Sequence, residues 1–250
     1  MIYRVEEIPV EGCNYTDFIP SLACYIPDTI EMKPAYKKPS VIVCPGGGYE
    51  VLWETEREAI ALKYMSEGFN AFVLNYSVIP AQYPTQLLEL AKAINYVRDH
   101  AEEFNADPDQ IIVCGFSAGG HLAANLGVCW NKDYFKELVG KDSNHKPNGV
   151  ILAYPVITVE DDDLIYFYNR FIGENPSQEL KDKVSLERQV DKDTVPTFMW
   201  GTYDDPLVKH ILVFGLELHK HKIPFESLIY QRGPHGIALA NDVTSFKEDQ

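Results

Sequence analysis

Residues 111-IIVCGFSAGGHLAANLGV-128 run from an apolar segment through a tight Gly115-Phe116-Ser117-Ala118-Gly119 turn into an Ala/Leu-rich segment. The first part is β-rich and not interrupted by polar side chains, the pattern of a strand covered on both faces. A Gly-x-Ser-x-Gly pentad alone says little, because at about 7% each for Gly and Ser it arises by chance about once in ten chains of this length. Its setting says more. A serine on a sharp strand-to-helix turn needs glycines where the backbone passes closely, and the helix that follows offers its first amides and its dipole to negative charge. A structural N-cap serine is the plain alternative; strand, turn and helix in that order favour Ser117 as a nucleophile.

Similar short apolar runs lie on either side: 41-VIVC-44, 71-AFVLNY-76, 150-VILAY-154, 197-TFMW-200 and 226-ESLIY-230. Between the second of them and residue 111 lies 84-PTQLLELAKAINYVRDHAEEF-104, whose Leu87, Leu90, Ala91, Ile94 and Val97 recur at i, i+3, i+4, i+7 and i+10. Pro84 opens this segment and Asn105-Ala106-Asp107-Pro108 closes it, which predicts one long amphipathic helix laid on the sheet. Strands alternating with helices give right-handed parallel βαβ units. The expected class is α/β, a mostly parallel, doubly wound sheet in a single domain over residues 1–250. Glu160-Asp161-Asp162-Asp163 interrupts the alternation. This run lacks the spaced ligands and glycine of a calcium loop, so it reads as a solvated loop opening a small helical insertion around 160–193, above the carboxyl ends of the strands.

Composition narrows the partners. The 250 residues carry 22 Lys+Arg against 37 Asp+Glu, a formal charge of −15, and 46% hydrophobic residues. A net charge of this sign, with no basic run, disfavours nucleic acid and anionic membrane surfaces. Cys13, Cys24, Cys44, Cys114 and Cys129 are odd in number and form no CxxC pair, which argues against a disulfide framework. The segment MIYRVEEIPVEG lacks the apolar stretch of a signal peptide, and no window approaches the ~18 apolar residues of a membrane span, so the cytoplasm is the expected location.

A serine hydroxyl becomes a competent nucleophile only when a base takes its proton. Gly233-Pro234-His235-Gly236 follows the last apolar run and supplies His235. His100, His210, His219 and His221 fall on or beside polar helical stretches and His145 in a charged loop, where surface positions are expected. His121 shares a helix face with Ser117, four residues on, but is tied behind the nucleophile and reads as a packing residue. An acid should fix the tautomer of the base, and 201-GTYDDP-206 after the 197–200 run offers Asp204 and Asp205. Of the two, the spacing from Gly201 puts Asp204 nearest the strand end. Cys44-Pro45-Gly46-Gly47-Gly48-Tyr49 directly follows a strand, and consecutive glycines there let successive amides point at one spot, as an oxyanion hole requires. A phosphate cradle is the competitor, but the run has no Gly-Lys-Ser/Thr ending. Tyr49 and Trp53 are candidates to stack on a sugar ring, with ordinary packing as the alternative.

Together PGGGY, the Arg57-Glu58 pair, GFSAGGHLAA, WGTYDDP and RGPHGIALA make the chain, from about Lys38 to Ala240, resemble the bacterial esterase/lipase branch of the α/β-hydrolases, which includes acetyl and acetylxylan esterases. The resemblance implies Ser117 as nucleophile, His235 as base and the amides of Gly47, Gly48 and Ala118 as oxyanion donors. It implies an acid at Asp204 if Gly-x-x-Asp is matched, or at Asp205 if Asp-Pro-Leu is matched. It further implies hydrolysis of small carboxylic esters, acetylated sugars among them, with no metal or organic cofactor. An amidase or peptidase on the same machinery is the alternative, and a non-catalytic binding protein on this scaffold is a more distant one.

Overall fold

In the computed structural model of the chain, the alternating segments bury their apolar faces by layering helices on both sides of one sheet. The structure describes residues 1–15, 18–29, 32–33, 35–140, 143–159, 161 and 164–244. The strands are β1 (Ile2–Glu7), β2 (Ser21–Ile26), β3 (Lys38–Cys44), β4 (Asn70–Asn75), β5 (Ala106–Phe116), β6 (Gly149–Ala153), β7 (Thr197–Thr202) and β8 (Phe225–Tyr230). They lie in the order β1-β2-β4-β3-β5-β6-β7-β8. From β4 to β8 every pairing is parallel, whereas β1 and β2 add an antiparallel edge. The sheet is therefore mostly parallel, as expected, and the six apolar runs are six of its strands. The antiparallel edge is an addition to the sequence reading.

The helices are α1 (Glu58–Ser66), α2 (Thr85–Asp99), α3 (Ser117–Cys129), α4 (Asp133–Val139), α5 (Ile165–Ile172), α6 (Gln178–Val184) and α7 (Val208–Lys220). Leu87, Leu90, Ala91, Ile94 and Val97 of α2 are buried with the α3 face of the sheet. The helix predicted over 84–104 ends at Asp99 instead. Ala101 and Phe104 continue the apolar spacing because they are buried, but they do so in turns that hand the chain to β5 through Asn105 at φ +47°. On the other face, α1 covers Val41, Val43, Val73 and Phe116.

From β3 the chain moves to β4 on one side and later to β5 on the other, so the carboxyl ends of β3 and β5 frame a topological switch point, where sheets of this class bind ligands. The glycine run leaves β3 there and Ser117 leaves β5. Between β6 and β7, α5, α6 and a 3₁₀ turn at Leu186–Arg188 form the expected insertion. Its acidic opening is not a simply solvated loop. Asp161 is buried and receives Lys209 Nζ at 2.8 Å and His210 Nε2 at 3.1 Å, while Glu160, Asp162 and Asp163 lie outside the described residues.

Candidate active site

The turn at Ser117 is built by close backbone passage. Ser117 adopts φ +49° as the first residue of α3, a left-handed conformation that an L-residue holds only where its surroundings impose it. A Cβ added to Gly119 would sit 2.0 Å from Cys44 O, so only glycine lets β3 pass this turn. Ser117 is thereby lifted off the sheet, with the buried Ala118 amide in the first turn of the helix behind it.

His235 reaches Ser117 from the loop after β8. Its Nε2 lies 2.8 Å from Ser117 Oγ, and its Nδ1 lies 2.8 Å from Asp205 Oδ2. A carboxylate only accepts, so Nδ1–H donates to Asp205 and Nε2 is left to accept the serine hydroxyl. The acid beside His235 is thus Asp205, and the expectation of Asp204 is corrected. β7 extends through Thr202, two residues past the 197–200 run, and Tyr203 N still donates to Tyr230 O at 2.8 Å. The turn falls one residue later than the spacing from Gly201 suggests, and it brings Asp205 inward. The Asp205 side chain is 1% exposed, and its Oδ1 accepts from Leu207 N at 2.8 Å, an Asx turn that locks the carboxylate. Asp204 points outward, 43% exposed and 3.9 Å from Arg232.

The glycine loop closes on the same spot. A Cβ at Gly46 would meet Ser117 Cβ at 3.0 Å, so this loop lies against the turn at Ser117. Gly47 at φ +117° and Gly48 at φ +65° carry the chain around it, and a Cβ at Gly47 would fall 2.1 Å from Val51 O. Sequence reasoning missed the side chains that hold this loop. Glu56 is buried and accepts from Gly46 N at 2.7 Å and from the Tyr154 hydroxyl at 2.7 Å. Arg170 of the insertion pairs with Glu50 at 2.7 Å, and its Nη1 lies 3.5 Å from the Cβ position of Gly48.

Of the two aromatic candidates, Tyr49 is not available to a sugar. It is fully buried, stacked on Phe171 at 4.3 Å and 10°, with its hydroxyl 3.1 Å from His121 Nδ1. It anchors the insertion to the glycine loop. Trp53 remains at the surface, 43% exposed, its Nε1 3.8 Å from the Cβ position of Gly236 next to His235. His121 is the packing residue expected. Its Nε2–H donates to Val184 O at 2.9 Å and its Nδ1 accepts from Tyr49, so neither nitrogen is open to the serine. His145 and His210, expected at the surface, are buried. His145 meets Ser143 Oγ and Trp130 O, and His210 Nδ1 accepts from Ile157 N at 2.9 Å.

Burial lowers the pKa of His121 to about 4 from its ordinary 6.5, with Val184 O pulling it back up and the neighbouring His210 lowering it further. Because the folded value is depressed, the unfolded chain takes up a proton below pH 6.5 that the folded chain refuses until about pH 4, and stability falls as pH falls through that window. Glu89, buried and raised to about 7, has the opposite slope over part of the same range, so the His121 contribution is isolated by comparing variants. We expect the urea-unfolding free energy of wild type to lose about 2 kcal/mol through His121 between about pH 6.5 and 5, and His121→Gln to lack that loss. A constant difference between the two proteins across this range would contradict the assignment.

A serine on an elbow between a parallel strand and a helix, with its histidine beyond the last strand, defines an α/β-hydrolase. The chain belongs to the BD-FAE family, whose pattern matches residues 24–213. Among solved structures it is similar to the acetyl ester-xyloside bifunctional hydrolase from Caldicellulosiruptor lactoaceticus, at 38% identity and a TM-score of 0.80 over 91% of this chain and 83% of that one. It is also similar to the carboxylesterase Cest-2923 from Lactobacillus plantarum WCFS1, at 25% identity and a TM-score of 0.83 over 99% and 89% of the two chains. Endo-1,4-beta-xylanase B of Butyrivibrio fibrisolvens is 35% identical over 233 residues, 90% of this chain and 36% of that protein. The acetylxylan esterase of Xylanibacter ruminicola is 27% identical over 141 residues, 56% of this chain and 26% of that protein. The chain thus spans only about a third and a quarter of the length of these two curated relatives. The solved structures it resembles are named a carboxylesterase and an acetyl ester hydrolase, and one curated relative an acetylxylan esterase. Among the described residues no helix is long and apolar enough to cross a membrane.

Proposed function

We propose that the chain works as one α/β-hydrolase domain that cleaves small carboxylic esters by acyl transfer to Ser117, with acetyl groups on sugars or oligosaccharides as the preferred substrate. The observation that carries this reading is the continuous hydrogen-bonded line from Ser117 Oγ through His235 to Asp205, 2.8 Å at each step, with the serine held at φ +49°. His235 Nε2 takes the hydroxyl proton as Oγ attacks the acyl carbon, and Asp205 steadies the imidazolium that forms. The amides of Gly47, Gly48 and Ala118 are the proposed donors to the oxyanion, at the start of α3 where the helix dipole also favours negative charge. The imidazolium then protonates the leaving alcohol, and water attacking the acyl-enzyme repeats the sequence. This chemistry calls on no metal or organic cofactor.

Acetylated sugars are supported by two things. One is the kind of relative, since one is named an acetyl ester-xyloside hydrolase and another an acetylxylan esterase. The other is Trp53, an exposed indole whose Nε1 lies 3.8 Å from the Cβ position of Gly236, the residue after His235, and which could stack on a sugar ring. The five free thiols support a reducing compartment, the cytoplasm. A series of p-nitrophenyl esters of growing acyl length, run beside acetylated xylo-oligosaccharides, tests the reading. The acetate ester should be turned over fastest and kcat/KM should drop about tenfold or more by hexanoate, as expected of a pocket that excludes two or more methylenes. Release of acetate from the oligosaccharides should accompany it. Rates that rise with chain length, or intact oligosaccharides, would contradict the acetyl assignment.

A further inference from the structure

Glu56 is a buried carboxylate with no part in acyl transfer as described above, yet it joins the glycine loop to the loop that carries His235. It precedes α1 in a 3₁₀ turn at Glu54–Glu56 and is fully excluded from solvent. Oε2 accepts from Gly46 N at 2.7 Å, the residue whose backbone lies against Ser117 and leads into Gly47 and Gly48. Oε1 accepts from the Tyr154 hydroxyl at 2.7 Å, and the same hydroxyl accepts from Ala238 N at 3.0 Å, three residues past His235. The Tyr154 ring stands edge-on to the His235 imidazole, centroids 5.1 Å apart. One carboxylate therefore ties the glycine loop, the loop after β6 and the histidine loop together. Both bonds to Glu56 come from donors, the arrangement that suits an ionised carboxylate.

The electrostatic surroundings of Glu56 are sparse. His235, Tyr154, Tyr76 and Cys114 face it from the histidine loop, the loop after β6, the end of β4 and β5. Arg57 is turned away to Asn75 Oδ1 at 2.5 Å, and Glu58 to the Tyr25 hydroxyl at 3.3 Å. Burial pushes Glu56 above the usual carboxylate range, while the bonds from Tyr154 and Gly46 and the proximity of His235 pull it back. A negative charge kept in such a place stabilises positive charge on the nearby imidazole.

We propose that Glu56 is a positioning residue for the catalytic centre: through Gly46 and Tyr154 it holds the glycine loop and the His235 loop in register, and its charge gives the imidazolium a second carboxylate besides Asp205. The proposal rests on the serine-hydrolase reading above. Its effect is exerted on groups that Glu56 itself does not pass to the substrate, so it should act on turnover and on the pH at which the base becomes active.

The test is a set of pH profiles with p-nitrophenyl acetate for wild type, Glu56→Gln, Tyr154→Phe and Ser117→Ala, with thermal melts of each. Glu56→Gln keeps the size and removes the charge. It should lower kcat about 10-fold to 100-fold with KM within about twofold, the scale of a slight misplacement of catalytic groups. Without the charge, the ascending limb of kcat/KM should move to lower pH by about half a unit. Tyr154→Phe breaks the link to Ala238 and takes one donor from Glu56, so it too should lower kcat. A folded Glu56→Gln protein with wild-type kcat and limb overturns the proposal, as does one whose kcat falls while the limb stays fixed. Should Glu56→Gln fail to fold, wild-type kcat in a folded Tyr154→Phe protein overturns it instead. Wild-type turnover by Ser117→Ala would remove the hydrolase reading itself, a result separable from the others.

Discussion

Ser117→Ala should lower kcat by about 10⁶ while the protein keeps its fold and its melting behaviour, because the nucleophile of a triad contributes to turnover as part of one unit. The alanine methyl group fits where the serine Cβ already lies, 3.0 Å from the Cβ position of Gly46, and the turn is held by backbone contacts of Gly119 rather than by the hydroxyl. What is lost is the atom 2.8 Å from His235 Nε2. Steady-state hydrolysis of p-nitrophenyl acetate by a purified variant, after a check for contaminating esterase, measures this. An alanine variant within tenfold of wild type would put the nucleophile elsewhere.

The second large effect separates two neighbours in sequence. Asp205→Asn should cost about 10⁴ in kcat, the loss seen when the acid of a serine triad becomes an amide and the imidazole takes the wrong tautomer. Leu207 N can still donate to the asparagine oxygen, so the loop should keep its shape; the amide nitrogen then faces His235 Nδ1 and forces the proton onto Nε2, away from its role as acceptor. Asp204→Asn changes only an exposed carboxylate 3.9 Å from Arg232 and should stay within about 0.5 kcal/mol in stability and close to wild type in rate. The two variants assayed side by side give the answer, and a crippled Asp204 variant beside an active Asp205 variant would reverse it.

How much of this was legible in the sequence varies with how local the determining physics is. The elbow was legible because strand, glycine turn and helix are consecutive, and the parallel strands because burial on both faces leaves continuous apolar runs. β1 was not: at the sheet edge its Arg4, Glu6 and Glu7 leave no buried face to produce a pattern. The choice between Asp204 and Asp205 turned on where β7 ends, which is set by pairing of Tyr203 with Tyr230, a strand away. The Asp-Pro-Leu sequence did hold a local signal, since an aspartate accepting from the amide two residues on is an Asx turn. Between stacking on a sugar and ordinary packing the sequence does not decide for Tyr49, because proximity to the glycine run does not show which way a residue at φ +57° points; it points into the insertion and packs. His210 looked like a helix surface residue, but its partners are Ile157 N and Asp161, about fifty positions away. Glu56, three residues after Trp53, gave no sign of burial, because its partners Gly46 and Tyr154 come from separate loops.

The central claim is that Ser117 is the activated nucleophile, and covalent labelling tests it most directly. A fluorophosphonate reacts with a serine whose proton a base removes, so wild type should lose esterase activity in step with the attachment of one label, and peptide mapping should find it on Ser117. His235→Gln, which keeps the shape but not the base, should label far more slowly. Full labelling at another residue, or esterase activity that survives complete reaction at Ser117, would contradict the account.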